Sequence, residues 1–262
     1  MGCGTKRNVI ILAAVVCALS GGFATPFITP LIAQTPASTA DGQSPVVPDT
    51  DRAPRARSAG ELSLPHSRVY IHVGKVGLGH EHAVICELKQ GTIHLGAERR
   101  AGLLVFDMQS MVADTREARK YIGLEGETSA STQDQVNANM RGKEVLNVEK
   151  FPTATFVIDS ALEMPVTSVD GHSQYELVGK FTLHGVNRPL KMVAQVVEEQ
   201  NGFHHVRTGF TLLQTDFGIK PFSKAFGAVG VTDELKVYGD AWVRRTPAPR
   251  QGRRQRALDS SR

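Results

Sequence analysis

Cysteine is scarce in this chain: three occur in 262 residues, at Cys3, Cys17 and Cys86. A dense disulfide scaffold of the kind that staples small secreted domains is therefore excluded. Long apolar runs are scarce too. The longest uninterrupted one, residues 9–19, covers 11 residues, against the roughly 20 that a bilayer-spanning helix requires. A protein of several membrane-spanning helices is excluded. Positive charge is missing where a nucleic-acid-binding surface would need it. The formal net charge is +4, but residues 244–262 contribute seven Arg against the single acid Asp259, while residues 66–243 hold 18 basic and 21 acidic side chains. A body with that balance has no excess charge to track phosphates, which excludes nucleic acid as its partner.

What is present divides the chain into four parts. Lys6 and Arg7 precede the apolar run, and small residues follow at Gly22-Phe23-Ala24 and Leu31-Ile32-Ala33. This is the layout of a secretory signal over residues 1–33, which places the protein in the periplasm or cell envelope. The alternative is an uncleaved anchor, because Phe27, Ile28, Leu31 and Ile32 prolong the apolar character. Cleavage would remove Cys3 and Cys17 and leave Cys86 without an internal partner. Residues 34–65, rich in Pro, Ser, Thr, Ala, Asp and Arg, read as a disordered linker. Residues 66–245 form one folded domain, long enough to bury a core. Residues 246–262, with Pro247, Pro249 and the Arg cluster, read as a disordered basic tail whose functional use would be peripheral contact with anionic lipid headgroups.

Within residues 66–245 the dominant signal is alternation with period two. Val69, Ile71 and Val73 alternate with polar neighbours, as do Phe156, Ile158 and Leu162, then Tyr175, Leu177, Gly179, Phe181 and Leu183. After a turn near Gly185-Val186-Asn187 come Leu190, Met192, Ala194 and Val196, followed by Val206, Thr208, Phe210 and Leu212, and by Leu235, Val237, Ala241 and Val243. Further candidates lie at 82–88, 91–96 and 102–108. One stretch departs from alternation: residues 131–146 open on Ser131, Thr132 and Asp134 and carry Val136, Met140 and Val145 at helical spacing. Eight or nine hairpin-spaced strands with one inserted helix predict an all-β fold, an antiparallel barrel or sandwich. Closure into a barrel removes the sheet edges and leaves an interior for side chains or one small ligand.

Few residues carry chemistry. His80-Glu81-His82 is the sharpest cluster. On a strand, positions i and i+2 face the same way about 6.6 Å apart, so His80 and His82 are metal-ligand candidates with His72 or His94 as a third ligand. The alternative is that they are polar residues at a barrel end. The zinc-protease helix motif is absent, since Val84 stands where its second His would be, and Gly77-Leu78-Gly79 lacks the third glycine of a dinucleotide fingerprint. No nucleophile elbow or phosphate-binding loop occurs, and no cofactor is implied. An enzyme reading would be metal-assisted or acid/base chemistry around His80 and His82.

Three segments carry a resemblance: Phe151-Pro152-Thr153-Ala154-Thr155-Phe156, residues 179–190 with the sequence GKFTLHGVNRPL, and Thr215-Asp216-Phe217-Gly218-Ile219. Together they resemble the YceI-like family of lipocalin-like barrels, several of which bind polyisoprenoids or other long-chain lipids. The resemblance implies an antiparallel lipocalin-like β-barrel of about eight strands holding an apolar ligand in its lumen, for carriage or storage. Alternation then nominates the lumen contacts as Phe156, Ile158, Leu177, Phe181, Met192, Ala194, Phe210 and Leu212, with Phe222 and Phe226 near an opening. For each of these the alternative is ordinary core packing.

Overall fold

The alternating segments become nine strands among the described residues, 58–245 of a computed structural model. They are β1 (Arg68–Gly77), β2 (His82–Ile93), β3 (Gly102–Ala113), β4 (Thr153–Glu163), β5 (Gln174–Leu183), β6 (Val186–Gln200), β7 (Phe203–Leu213), the two-residue β8 (Ser223–Lys224) and β9 (Val229–Arg244). Each long strand pairs antiparallel with the next, and β9 returns to β1 with Val69 opposite Gly239 and Val73 opposite Leu235. Eight long strands thus close a barrel in which each has a neighbour on both sides, although the β3–β4 ladder ends at Asp107 and the β6–β7 ladder at Ala194. Two tight turns set the register of the hairpins on either side of β6. His184 and Gly185 join β5 to β6 with φ of +52° and +78°, and Asn201 and Gly202 join β6 to β7 with φ of +50° and +79°. Paired left-handed residues are what a two-residue hairpin needs to match the strand twist.

The expected single helix is corrected to two. Helix α1 (Arg116–Ile122) is capped by Thr115, whose hydroxyl accepts from the Ala118 N–H, and ends on Gly123 at φ +83°. Helix α2 (Ala130–Arg141) is capped by Ser129, two residues earlier in the Ser/Thr run than expected, and stops at Gly142. α1 lies on the outer wall, where Ala118, Tyr121 and Ile122 cover Tyr70 and Ala83 and the Tyr70 hydroxyl donates to Glu117 at 2.7 Å. α2 lies across one end of the barrel. Gln133 and Asn137 fasten it to the last residue of β3, donating to and accepting from the backbone of Ala113 at 2.7 and 2.8 Å.

The opposite end is sealed by residues expected to belong to the linker. The Leu62 N–H donates to Gly91 O, the Gly60 N–H to Arg244 O, and the Arg244 N–H to Glu61 O, so residues 60–63 cross from β2 to β9 beneath the start of β1. Leu62 is 3% exposed, and it lies so close to Gly91 that a Cβ there would stand 2.7 Å from its side chain. The folded domain therefore begins before residue 66, because one buried leucine and its backbone bonds tie this stretch to the barrel floor. Residues 1–57 and 246–262, which include the leader, most of the linker and the basic tail, lie outside the described residues.

Candidate functional site

Inward-facing side chains of all eight long strands surround an apolar lumen. The cavity volume is about 240 Å³. Its wall follows single strands from end to end, from His82 to Ile93 on β2 and from Val231 to Ala241 on β9. Eleven residue steps at about 3.3 Å each give roughly 35 Å along β2, or about 27 Å along the barrel axis for a tilt near 40°. At the floor the wall is buried: Leu62, Leu177, Ala194 and Val206 are all inaccessible. At the α2 end Val136, Asn139, Met140, Phe222 and Val231 are half-exposed, so the lumen opens there.

Of the nominated contacts, Phe156, Leu177, Phe181, Met192, Ala194, Phe210, Leu212 and Phe222 all line this lumen. Ile158 does not: it is 0% exposed and belongs to the packed core beside the cavity. Phe226 is corrected as a lumen contact, although it does lie near the open end. It is fully exposed and stands on a left-handed backbone (φ +55°) that turns its ring into solvent. Leu162, read as continuing the alternation of Phe156 and Ile158, faces outward, because a bulge between Ile158 and Ser160 shifts the phase and brings Ala161 inward instead.

Wall residues missed in the sequence include Phe106, Met108 and Met111 on β3 and Val136 and Met140 on α2. Phe106 and Met108 share the alternation of their strand and Val136 and Met140 are an i, i+4 pair on one helical face, so those signals were present, whereas Met111 follows a register shift that puts it out of phase with Met108. Phe106 meets Phe181 edge-on at 6.0 Å, and Phe181 meets Phe217 edge-on at 5.6 Å, a geometry aromatic rings prefer.

The three resemblance segments converge at one corner of the open end. The Phe151 ring sits 4.4 Å from His184 and against Gly185, where a Cβ would clash at 2.8 Å. Arg188 Nε donates to the carbonyl of Asp216, and His184 Nδ1 donates to the carbonyl of Phe217. Phe217 and Ile219 turn inward on either side of Gly218, whose φ is +69°. These motifs build the corner and aim Phe156, Phe181 and Ile219 into the lumen.

His80 and His82, weighed as metal-ligand candidates against a role as polar residues at the barrel end, are not brought together as a chelate. β2 starts at His82, leaving His80 exposed in the preceding loop. His94 lies at the far end of the same strand, and His72 faces Glu81 at 3.5 Å. His82 borders the lumen, and its Nδ1 donates to Asp114 at 2.7 Å. Asp114 also accepts from the Ala83 N–H at 3.1 Å and from Arg119 at 3.0 Å. Burial alone would push the Asp114 carboxyl up, but the bonds from His82, Ala83 and Arg119 outweigh it and hold the group below the usual carboxylate range. Two further polar wall groups are occupied: Thr208 donates to Val193 O and Gln214 to Thr232 O. The Cys86 thiol, also in the wall, is pushed up to about 12 by burial and is no nucleophile at neutral pH. What the arrangement can do is enclose apolar matter.

Residues 62–241 match the family model described as the YceI-like domain. Similar curated proteins are a UPF0312 protein of Shewanella sp. (strain ANA-3), 35% identical over 95 residues, and a UPF0312 protein of Shewanella oneidensis, 37% identical over 97. Each match covers 34% of this chain and 47% of the relative, so the chain spans about half the length of the curated relatives it matches. Among solved structures, a polyisoprenoid binding domain from Saccharophagus degradans is similar at a TM-score of 0.49 and 12% identity, over 72% of this chain and 100% of that one. Burkholderia cenocepacia BcnA is similar at 0.44 and 14%, over 70% and 99%.

Proposed function

The chain belongs to the YceI-like domain family, and from that premise we propose that it binds one long-chain apolar lipid of the polyisoprenoid class in its lumen, for carriage or storage. The observation that carries this reading is a continuous apolar cavity running the length of the barrel, sealed at the Leu62 floor and open at the α2 end. Magnitudes decide for a long ligand over a small one. Burial yields about 0.8 kcal/mol per methylene, while association costs on the order of 4–15 kcal/mol, so a ligand with few polar anchors needs roughly ten to twenty buried carbons to bind measurably. Thr208 and Gln214 already spend their donors on backbone carbonyls, which leaves affinity to the chain. A linear chain also suits a lumen about three times as long as the roughly 10 Å gap between packed sheet faces.

The signal layout of residues 1–33 supports export to the periplasm or cell envelope, where such a lipid has no other route through water. Organic extraction of the purified protein followed by mass spectrometry tests the binding reading. A stoichiometric long-chain isoprenoid is expected, and an extract that stays empty even after incubation with polyprenol would count against it.

A further inference from the structure

Two loops meet beside the open end of the lumen and display apolar side chains to solvent. Leu78, in the loop after β1, is 82% exposed, and Phe226, between β8 and β9, is 113% exposed, with Val76 at 43%. They form one surface. The Leu78 N–H donates to Ala228 O at 2.9 Å, and Gly77 packs so tightly on that carbonyl that a Cβ would stand 2.3 Å from it. Both β1 and β8 pair with the first residues of β9. Ala225 and Phe226 are consecutive left-handed residues without being glycine, a conformation L side chains rarely adopt, and it is what holds the Phe226 ring outward. Phe222, just before β8, and Val231, near the start of β9, line the lumen.

Charge decides what such a surface meets. Residues 74–80 and 219–232 carry Lys75, Lys220 and Lys224 and no Asp or Glu, and all three lysines are exposed. The nearest acids in sequence are Glu81, just before β2, which faces His72 at 3.5 Å, and on β9 Asp233, which accepts from Thr215 at 2.9 and 2.6 Å, and the exposed Glu234. The other end of the barrel offers a contrast: Val166 and Val169 are exposed there too, but between Glu163 and Asp170 with no lysine or arginine in 163–173.

We propose that the Leu78 and Phe226 tip is a docking site for an anionic lipid bilayer, seating the open end of the lumen on the membrane so that ligand passes between bilayer and barrel without crossing water. The apolar side chains enter the interfacial region while the surrounding lysines meet lipid phosphates. The exchange role rests on the lumen being a lipid site; the docking does not.

The test puts a reporter at the tip of the full chain, because the leader and basic tail have membrane affinities of their own. In the Leu78→Trp variant, vesicles of phosphatidylcholine with phosphatidylglycerol and brominated acyl chains should quench and blue-shift the new tryptophan. The Val169→Trp variant should show neither effect, and Lys220→Glu with Lys224→Glu in the Leu78→Trp background should weaken the vesicle affinity that the quenching reads by about 25-fold, at roughly fivefold per lysine. If Leu78→Trp emits as in buffer whether or not the protein is on the vesicles, or if Val169→Trp is quenched equally, docking through this tip is overturned. Polyprenol delivered from cyclodextrin without vesicles reads the lumen separately, so normal uptake with an unquenched tip sinks the docking alone.

Discussion

Asp114 has a left-handed backbone (φ +56°), a side chain 1% exposed, and three donors converging on its carboxylate from β2 and α1. Because its folded pKa is depressed, the carboxylate adds stability above the unfolded value of about 3.9 and loses it as pH falls through the lower folded value. Asp114→Asn keeps a residue that tolerates positive φ but removes the charge facing Arg119. It is expected to cost about 1–3 kcal/mol near neutrality, with the gap to wild type closing below about pH 4. Urea midpoints across that range check this, and a gap that persists unchanged at pH 3 would remove Asp114 from the acid-labile contacts. At this scale the sequence was least legible. His80 and His82 suggested a chelate only on the assumption that both lay in one strand, and an aspartate 32 residues away decided the role of His82. Phe226 looked like a lining residue because nothing in its type foretells a left-handed backbone.

Elements were legible where alternation ran unbroken, as in β5 and β7. Bulges defeated it elsewhere. The slip between Leu88 and Gln90 made one strand, β2, look like two at 82–88 and 91–96, and the slip after Ile158 turned Leu162 outward. α1, at seven residues, is too short to show helical periodicity. The strap at residues 60–63 was hidden because one leucine in a polar stretch has no period at all. That strap is open to a direct check: Leu62→Ala should lower unfolding free energy by about 2–5 kcal/mol, and a chain starting at residue 66 should unfold at lower denaturant than one starting at 58. Equal midpoints for the two would mean that the floor is closed by something other than this strap.

For the whole molecule, the barrel separates two tasks: sealing, by the strap at one end, and access, by α2 and the 214–228 connection at the other. The YceI-like motifs were readable in sequence and proved to build the corner at the open end, which explains why they reveal the fold more readily than the ligand. Ala194 stands deep in the wall, 1% exposed, where added volume must displace either ligand or neighbours. Ala194→Trp is expected to fold at an overpacking cost of about 1–3 kcal/mol. The most direct measurement is polyprenol uptake by wild type and by folded Ala194→Trp at matched concentration. Near-stoichiometric binding by wild type and at least a tenfold loss in the variant, in keeping with overpacking of the ligand's volume, is the predicted result; equal uptake by both, or none by wild type, would contradict a lumen that holds lipid.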